Sequence, residues 1–504
     1  MAHRTCTIRQ MTTRTLRRAV LVALSSPLVA VCGNEPPTLT GSTVPPMNVA
    51  KSGDDQFVQV GVAAREPLQL TITDQSGNPV SGHAVTWAVT VGGATLSDTS
   101  TLTDVSGRAE VTLTPTALSP RVITVTATPA ALGAQQFTAT TVRLVAHPSV
   151  PIPANYGIHD QFFRDGLLFV SAWNSGLRIY DVGNGIRGGS PAVPESVSTI
   201  VTASNGIAGG AQVHNAWWYW APGGAKQYVF VGQEGPGSVG TSSSGDIHVV
   251  DVSNLSSPVE VAFYHMAPVN GQPTGTHNFW VDEAAEVLYA AYYNGGVVAL
   301  DVSGTLNGDL AGREIARVRP IESPVFVWGV QLSSRSVYAS DMLNGLWQLR
   351  LTADTTFSSV SGGAVPERYT SDLWVHGNAA YTGTWGTRGG HRGDAVKVWR
   401  LGATGAPTLA DSIIVPDIGT VSDLEVSDDG RVLMFSAEGG GGNGIYFYSL
   451  AADPLRPRFM AFHPVSSGVH TATFGTVGGR RYAFAAKDPP GPALLILDVT
   501  DLWP

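Results

Sequence analysis

Cysteine is nearly absent from this 504-residue chain, which has only Cys6 and Cys32. Cys6 falls in an N-terminal segment that export would remove, so the mature chain keeps at most one thiol and no disulfides. An exported fold without disulfides must rely on core burial, and several hundred β residues can supply it. Charge is also sparse, at 14% of residues with a formal net charge of -9, and no basic block follows the N-terminus. Phosphate binding needs clustered Lys and Arg, so nucleic acid is not an expected partner. Stretches with a helical apolar period are missing after the first thirty residues. The zincin helix, the nucleophile elbow and the dinucleotide fingerprint are missing too.

Turn formers are plentiful instead, with 58 Gly, 32 Pro and 43% hydrophobic residues. Short β-branched and aromatic runs alternate with turns, so the expected class is all-β, in two or three domains.

Residues 1–32 read as a signal peptide. Arg14, Arg17 and Arg18 precede the apolar run Ala19–Val31, which is too short for a comfortable membrane span. The run ends in "LVAVC", which resembles a bacterial lipobox. That resemblance implies lipidation at Cys32 and a membrane partner through the lipid anchor. Val31 stands where Gly, Ala or Ser is usual, and cleavage near Cys32 without lipid is the alternative. Residues 33–49 read as a Pro/Thr/Ser-rich tether.

Residues 50–142 carry short alternating strands, "LQLTITD", "HAVTWAVTV", "RAEVTLTP", "VITVTATP" and "QFTATTV", with turns between them. This spacing fits an Ig-like β-sandwich with Trp87 as its core aromatic. "TDQSGNPVSGHAVTWAV" and "TDVSGRAEVTL" also resemble a bacterial Ig-like domain of the invasin/intimin group. The resemblance implies a surface spacer or adhesive module.

Residues 143–504 repeat. Strand pairs ending in an apolar run plus Asp recur as "GLLFVSAWNSGLRIYDV", "QYVFVGQEG…GDIHVVDV", "VLYAAYYNGGVVALDV" and "RYAFAAKDPPGPALLILDV", with three degenerate copies. Seven copies of roughly fifty residues, with about four strands each, predict a seven-bladed β-propeller. "GLRIYDV", "DIHVVDV" and "LLILDV" resemble LVIVD repeats of bacterial and archaeal surface proteins, which imply a propeller without a settled activity. The last copy lacks an outer strand. "VRLVAHPSV" (Val142–Val150) matches the outer strands of other copies and is expected to fill that place, closing the ring.

In such a ring the start of each inner strand and the second turn of each blade share one mouth. The aligned inner-strand starts are His159, His214, His277, Trp328, Asp372, Asp423 and His470. Turns at that mouth add Trp173, Asn174, Glu234, Asn294, Asp341, Trp385, Arg388, His391, Glu438 and Asp488. Convergent polar groups in a concave mouth mark a candidate site. Three readings stand open. The side chains bond neighbouring blades; or His159, His214, His277 and His470 hold a transition metal (Zn, Cu or Fe), with Asp372 or Asp423; or the mouth is a metal-free ligand pocket.

The leading expectation is an exported, lipid-anchored protein of the outer membrane, cell surface or periplasm. Its propeller serves as a non-enzymatic binding module for a surface ligand or protein, presented by an Ig-like spacer. The alternative is a metal-dependent enzyme, an oxidoreductase or hydrolase, using the His-rich mouth.

Overall fold

The computed structural model describes residues 47–503, apart from 154–156, 207–209, 320, 335, 353–355 and 403–405. The expected signal segment, Cys32 and most of the tether lie outside the described residues. The chain is all-β, and its helical elements among the described residues are two short 3-10 turns. No helix among them is long and apolar enough to cross a membrane.

The first strand, Met47–Ser52, begins slightly before the expected boundary at residue 50. It joins Leu68–Asp74 and Arg108–Val111 in a three-stranded sheet. A facing sheet runs in the order Gln56–Gln59, Gln135–Val142, Val122–Pro129, Ala84–Val91, Ser100–Leu102. Alternate residues of both sheets, among them Leu70, Ile72, Val85, Val125 and Phe137, enclose one core, as period-two patterning requires. Trp87 lies in that core against Phe137, and its indole N–H donates to Thr101 Oγ1 at 2.9 Å.

Seven sheets follow among the described residues, each built on four antiparallel positions, and the second gains a short parallel strand, Gly308–Asp309, at its outer edge. Their inner strands are Asp160–Arg164, Val213–Tyr219, Phe279–Asp282, Val327–Ser333, Tyr369–His376, Leu424–Val426 and Val469–Val477. Each inner strand contacts the next, and the seventh contacts the first, so the sheets close a ring. Val145–Ala146 and Val150–Pro151 pair with Ala493–Asp498 and complete the seventh sheet with residues from before the first. The Ser/Gly-rich stretch of the second copy is an added hairpin, Gly235–Ser238 with Ser242–Ser244. It lies against the turns of the third and fourth sheets. Asn294 Nδ2 donates to Thr241 O at 3.2 Å, and a side chain at Gly240 would meet Leu343 at 3.0 Å.

The repeated Asp after each apolar run has a local task. Asp251, Asp301 and Asp498 each accept a backbone N–H two residues on, at 2.8, 2.9 and 3.0 Å. Such Asx turns stop the third strand and aim the chain outward. The sandwich also docks on the ring. Phe57 packs into the core of the sixth and seventh sheets, Arg143 Nε donates to Asp501 Oδ2 at 2.9 Å, and Arg458 pairs with Asp55 at 3.0 Å.

Candidate functional site: the axial channel and its histidine arc

The pairing register sorts the inner-strand side chains into layers. Asp160, Asn215 and Gly329 pair with Ser171, Gly232 and Ser340 of the second strands, and Asn278, Asp372, Asp423 and Thr471 immediately precede the equivalent next pairs, made by Phe279, Leu373, Leu424 and Ala472. Ser171, Gly232 and Ser340 are all small, which leaves room for polar side chains against them. A side chain at Gly232 would sit 1.9 Å from Asn215 Oδ1.

One residue earlier lie His159, His214, His277, Trp328, Ser371, Ser422 and His470. The sequence alignment is therefore one residue out in the fifth and sixth sheets. Asp372 and Asp423 do not share a layer with the histidines, and Ser371 and Ser422 hold the equivalent places. Asp372 and Asp423 are the first charged side chains of their inner segments, but each follows the histidine position by one residue. The ladder slips by one residue beside His214, Trp328, Ser371 and His470 alike.

The four histidines and Trp328 form a continuous arc on five neighbouring sheets. Ring centroids are 4.5 Å apart from His470 to His159, 5.2 Å to His214, 4.1 Å to His277 and 4.2 Å to Trp328. Trp173 stacks on His159 at 4.0 Å. His277 Nδ1 donates to Trp328 O at 2.8 Å, bonding one sheet to the next. Burial holds His159 and His277 well below the usual imidazole range, and lowers His214 to about 3. His470 departs from the rest. Burial pushes it down, but the Glu438 carboxylate, 3.4 Å from Nδ1, and Asp488 outweigh this and raise it to about 9. Burial works against the charge on Glu438 as well, yet His470 draws it down to about 2. Asp488 is pushed up to about 8 by burial and by Glu438.

The turn residues divide. Trp173, Glu234, Glu438 and Asp488 stand at the arc, with Glu234 Oε2 3.7 Å from His214 Nε2. Tyr293, which the sequence reading passed over for Asn294, packs on His277 and donates its hydroxyl hydrogen bond to Glu234. Trp385 packs on Trp328 at 6.1 Å. Asp341 is a correction. It is fully buried and accepts from the backbone of Phe326 and Leu343 and from Asn344, so it builds its turn and does not face the mouth. Asn174 and Asn294 likewise bond turn backbone. Arg388 donates to Leu343 O at 2.7 Å, latching the fifth sheet to the fourth, and His391 pairs with it in the same turn. Neither touches the arc.

A cavity of about 560 Å³, lined at one end by His214, His277, Trp328 and His470 of the arc, runs along the axis towards Arg164, Asp429 and Trp503. Its floor is the layer of Asp160, Asn215, Asn278, Asp372, Asp423 and Thr471. Burial and the charge of Asp423 push Asp160 and Asp372 well above the usual carboxylate range; burial raises Asp423 as well. Two residues further along lie Phe162, Trp217, Trp280, Gln331, Trp374, Glu425 and Thr473. Phe162, Trp217, Trp280 and Trp374 form an aromatic wall, with neighbouring centroids at 5.2, 5.1 and 5.9 Å. Gln331 bonds both polar atoms of Val375, and Glu425 accepts from Phe474 N at 3.1 Å, so these two brace adjacent sheets. The wall and the floor were missed in the sequence. The aligned strings "HDQF", "HNAW", "HNFW", "SDLW" and "SDLE" carry the signal.

Residues 61–144 match the bacterial Ig-like domain (group 1), and residues 242–265 match the LVIVD repeat. The latter span the third and outer strands of the second ring sheet. No curated protein matches the chain. Among solved structures, the computationally designed Ika8 protein is similar at 11% identity and a TM-score of 0.40, over 69% of this chain and 98% of that one. Bacterial Ig-like domains are typical of exported surface proteins, and the chain carries one ahead of an all-β region with an LVIVD repeat, a composition that suggests a surface or binding module.

Proposed function

We propose that the protein is an exported binding module, anchored by lipid at Cys32, whose ring is a seven-bladed β-propeller that takes a small organic ligand into its axial channel. Residues 50–142 act as the spacer that carries residues 143–504 away from the membrane. The observation that carries this reading is the channel itself, a cavity of about 560 Å³ with an aromatic wall over a floor of carboxyl and amide groups. Flat aromatic faces take apolar or cationic surface, and the floor accepts hydrogen bonds. The ligand class that fits both is a compact molecule bearing an amine or several hydroxyls. The fixed polar groups orient it.

The test is a titration of the channel tryptophans' fluorescence against a panel of amines and sugars, repeated on Trp280→Ala and Asp372→Asn. A binder whose affinity falls about tenfold or more in both variants supports the channel. Binding that neither variant alters places recognition elsewhere on the molecule.

A further inference from the structure

The histidine arc borders the channel beside its floor, where His214, His277, Trp328 and His470 share the cavity lining. Three of its rings converge. The ligand atoms of His159, His214 and His470 all lie within 4.8 Å of one another, and those of His214, Glu234 and His277 do so in an adjoining group. Two nitrogens on one tetrahedral zinc ion are about 3.4 Å apart, so the rings need to close by about an ångström, within reach of side-chain rotation. The tautomers also suit ligation. His277 Nδ1 is committed to Trp328 O and His470 Nδ1 faces Glu438, which leaves Nε2 of each as the ring nitrogen available to a metal. A carboxylate or carbonyl behind the imidazole is the usual support of a metal-binding histidine. His159 Nδ1 is buried with no hydrogen-bond partner. Such an atom costs stability unless something else occupies its lone pair or proton.

We propose that His159, His214 and His470 bind one divalent transition-metal ion, with Glu438 as a positioning residue behind His470 and Glu234 and His277 beside the open coordination position. Three neutral imidazoles suit zinc, copper or nickel over magnesium or calcium. Ligation requires neutral imidazoles, so any proton they carry leaves to solvent as the ion enters. A site with three protein ligands retains a position for water or a small anion.

The experiment uses the full exported chain without an affinity tag, stripped with a chelator and titrated with Zn(II) and with Co(II). One equivalent per chain is expected, with the intense visible bands of four-coordinate Co(II). His214→Gln should weaken binding at least a hundredfold and Glu438→Gln about tenfold. His391→Gln, in an exposed turn away from the arc, and Trp280→Ala, in the channel wall, should leave it unchanged. Absence of a stoichiometric site in the native chain overturns the proposal, as does equal loss of binding in His391→Gln. If His214→Gln fails to fold, X-ray absorption at the zinc edge of the native chain decides. Three imidazole ligands support the site and fewer than three overturn it. Trp280→Ala also separates this proposal from the channel reading, because it alters ligand binding and not metal binding.

Discussion

Asn278 and Asp372 belong to the third and fifth ring sheets, yet Asn278 Nδ2 donates to Asp372 Oδ1 at 2.9 Å. The bond passes over the fourth sheet at Gly329, where an added side chain would sit 2.6 Å from the same oxygen. Three sheets thus meet in one contact at the channel floor. Glycine at 329 is a requirement of space, since only a missing Cβ lets the two side chains join there.

Gly329→Ala should therefore destabilise the protein by about 1–3 kcal/mol, the range for forcing extra atoms into a packed interior. Asn278→Ala breaks the same bond from its other end. In urea unfolding the two changes should be markedly less than additive, because each removes one shared interaction. Full additivity would mean that the Asn278–Asp372 bond contributes nothing measurable.

Asp372 also sets a pH dependence. Burial, and then the neighbouring Asp423, hold its carboxyl well above the usual carboxylate range. A carboxyl whose folded pKa is raised binds more protons in the folded state than in the unfolded one. Its contribution is favourable at low pH and declines as pH rises from the unfolded value towards the folded one. Asp372→Asn keeps the acceptor for Asn278 and removes the proton. The variant should match the native protein near pH 4 and exceed it in stability at pH 8. Melting temperatures across that range check it, and parallel curves for the two proteins would refute it.

The repeat was legible in sequence because each sheet rewrites the same cue, an apolar second strand, a turn and an apolar third strand ending in Asp. The outer strand at Val145–Ala146 was legible for the same reason, since it copies the outer strands of other sheets. The layer assignment was not. Matching polar type instead of position set Asp372 against His214, when the strings "HNAW" and "SDLW" place it with Asn215 and set Ser371 against the histidine. The contacts across sheets were hidden as well. Gln331 on Val375 and Tyr293 on Glu234 join residues far apart in the chain, and only the closed ring sets their spacing.

Asp501 joins the sandwich to the ring, receiving Arg143 at 2.9 Å and standing 3.7 Å from Arg121. Phe57 adds apolar contact from the sandwich. The ion pairs are partly exposed and are worth about 1 kcal/mol or less each, so Asp501→Ala alone should cost little. Phe57→Ala with Asp501→Ala should free the sandwich from the ring. Small-angle scattering should then report a larger radius of gyration than for the native chain, with both parts still folded by circular dichroism. An unchanged radius would mean that the remaining contacts suffice to hold the two together.

Asp181 gives a strong expected acid response in the ring. Its side chain is buried in a loop and accepts five backbone N–H groups, from Gly183, Asn184 and Gly185 at one oxygen and from Arg187 and Gly189 at the other. Burial opposes the charge, but these donors outweigh it and lower the carboxyl to about 2. A depressed folded pKa contributes stability that is complete above the unfolded value near 3.8 and is lost as pH falls through about 2. Asp251, Asp301 and Asp498, at the equivalent strand ends, are lowered as well, so their losses fall in the same acid window. Asp181→Ala strands the loop's donors and should cost about 2–3 kcal/mol at neutral pH. The same change should cost progressively less below pH 3, where the native carboxylate is itself being neutralised. Denaturant midpoints at pH 7 and pH 2.5 check this. An equal cost at both would assign the loss to packing of the loop and not to the charge that its amides surround.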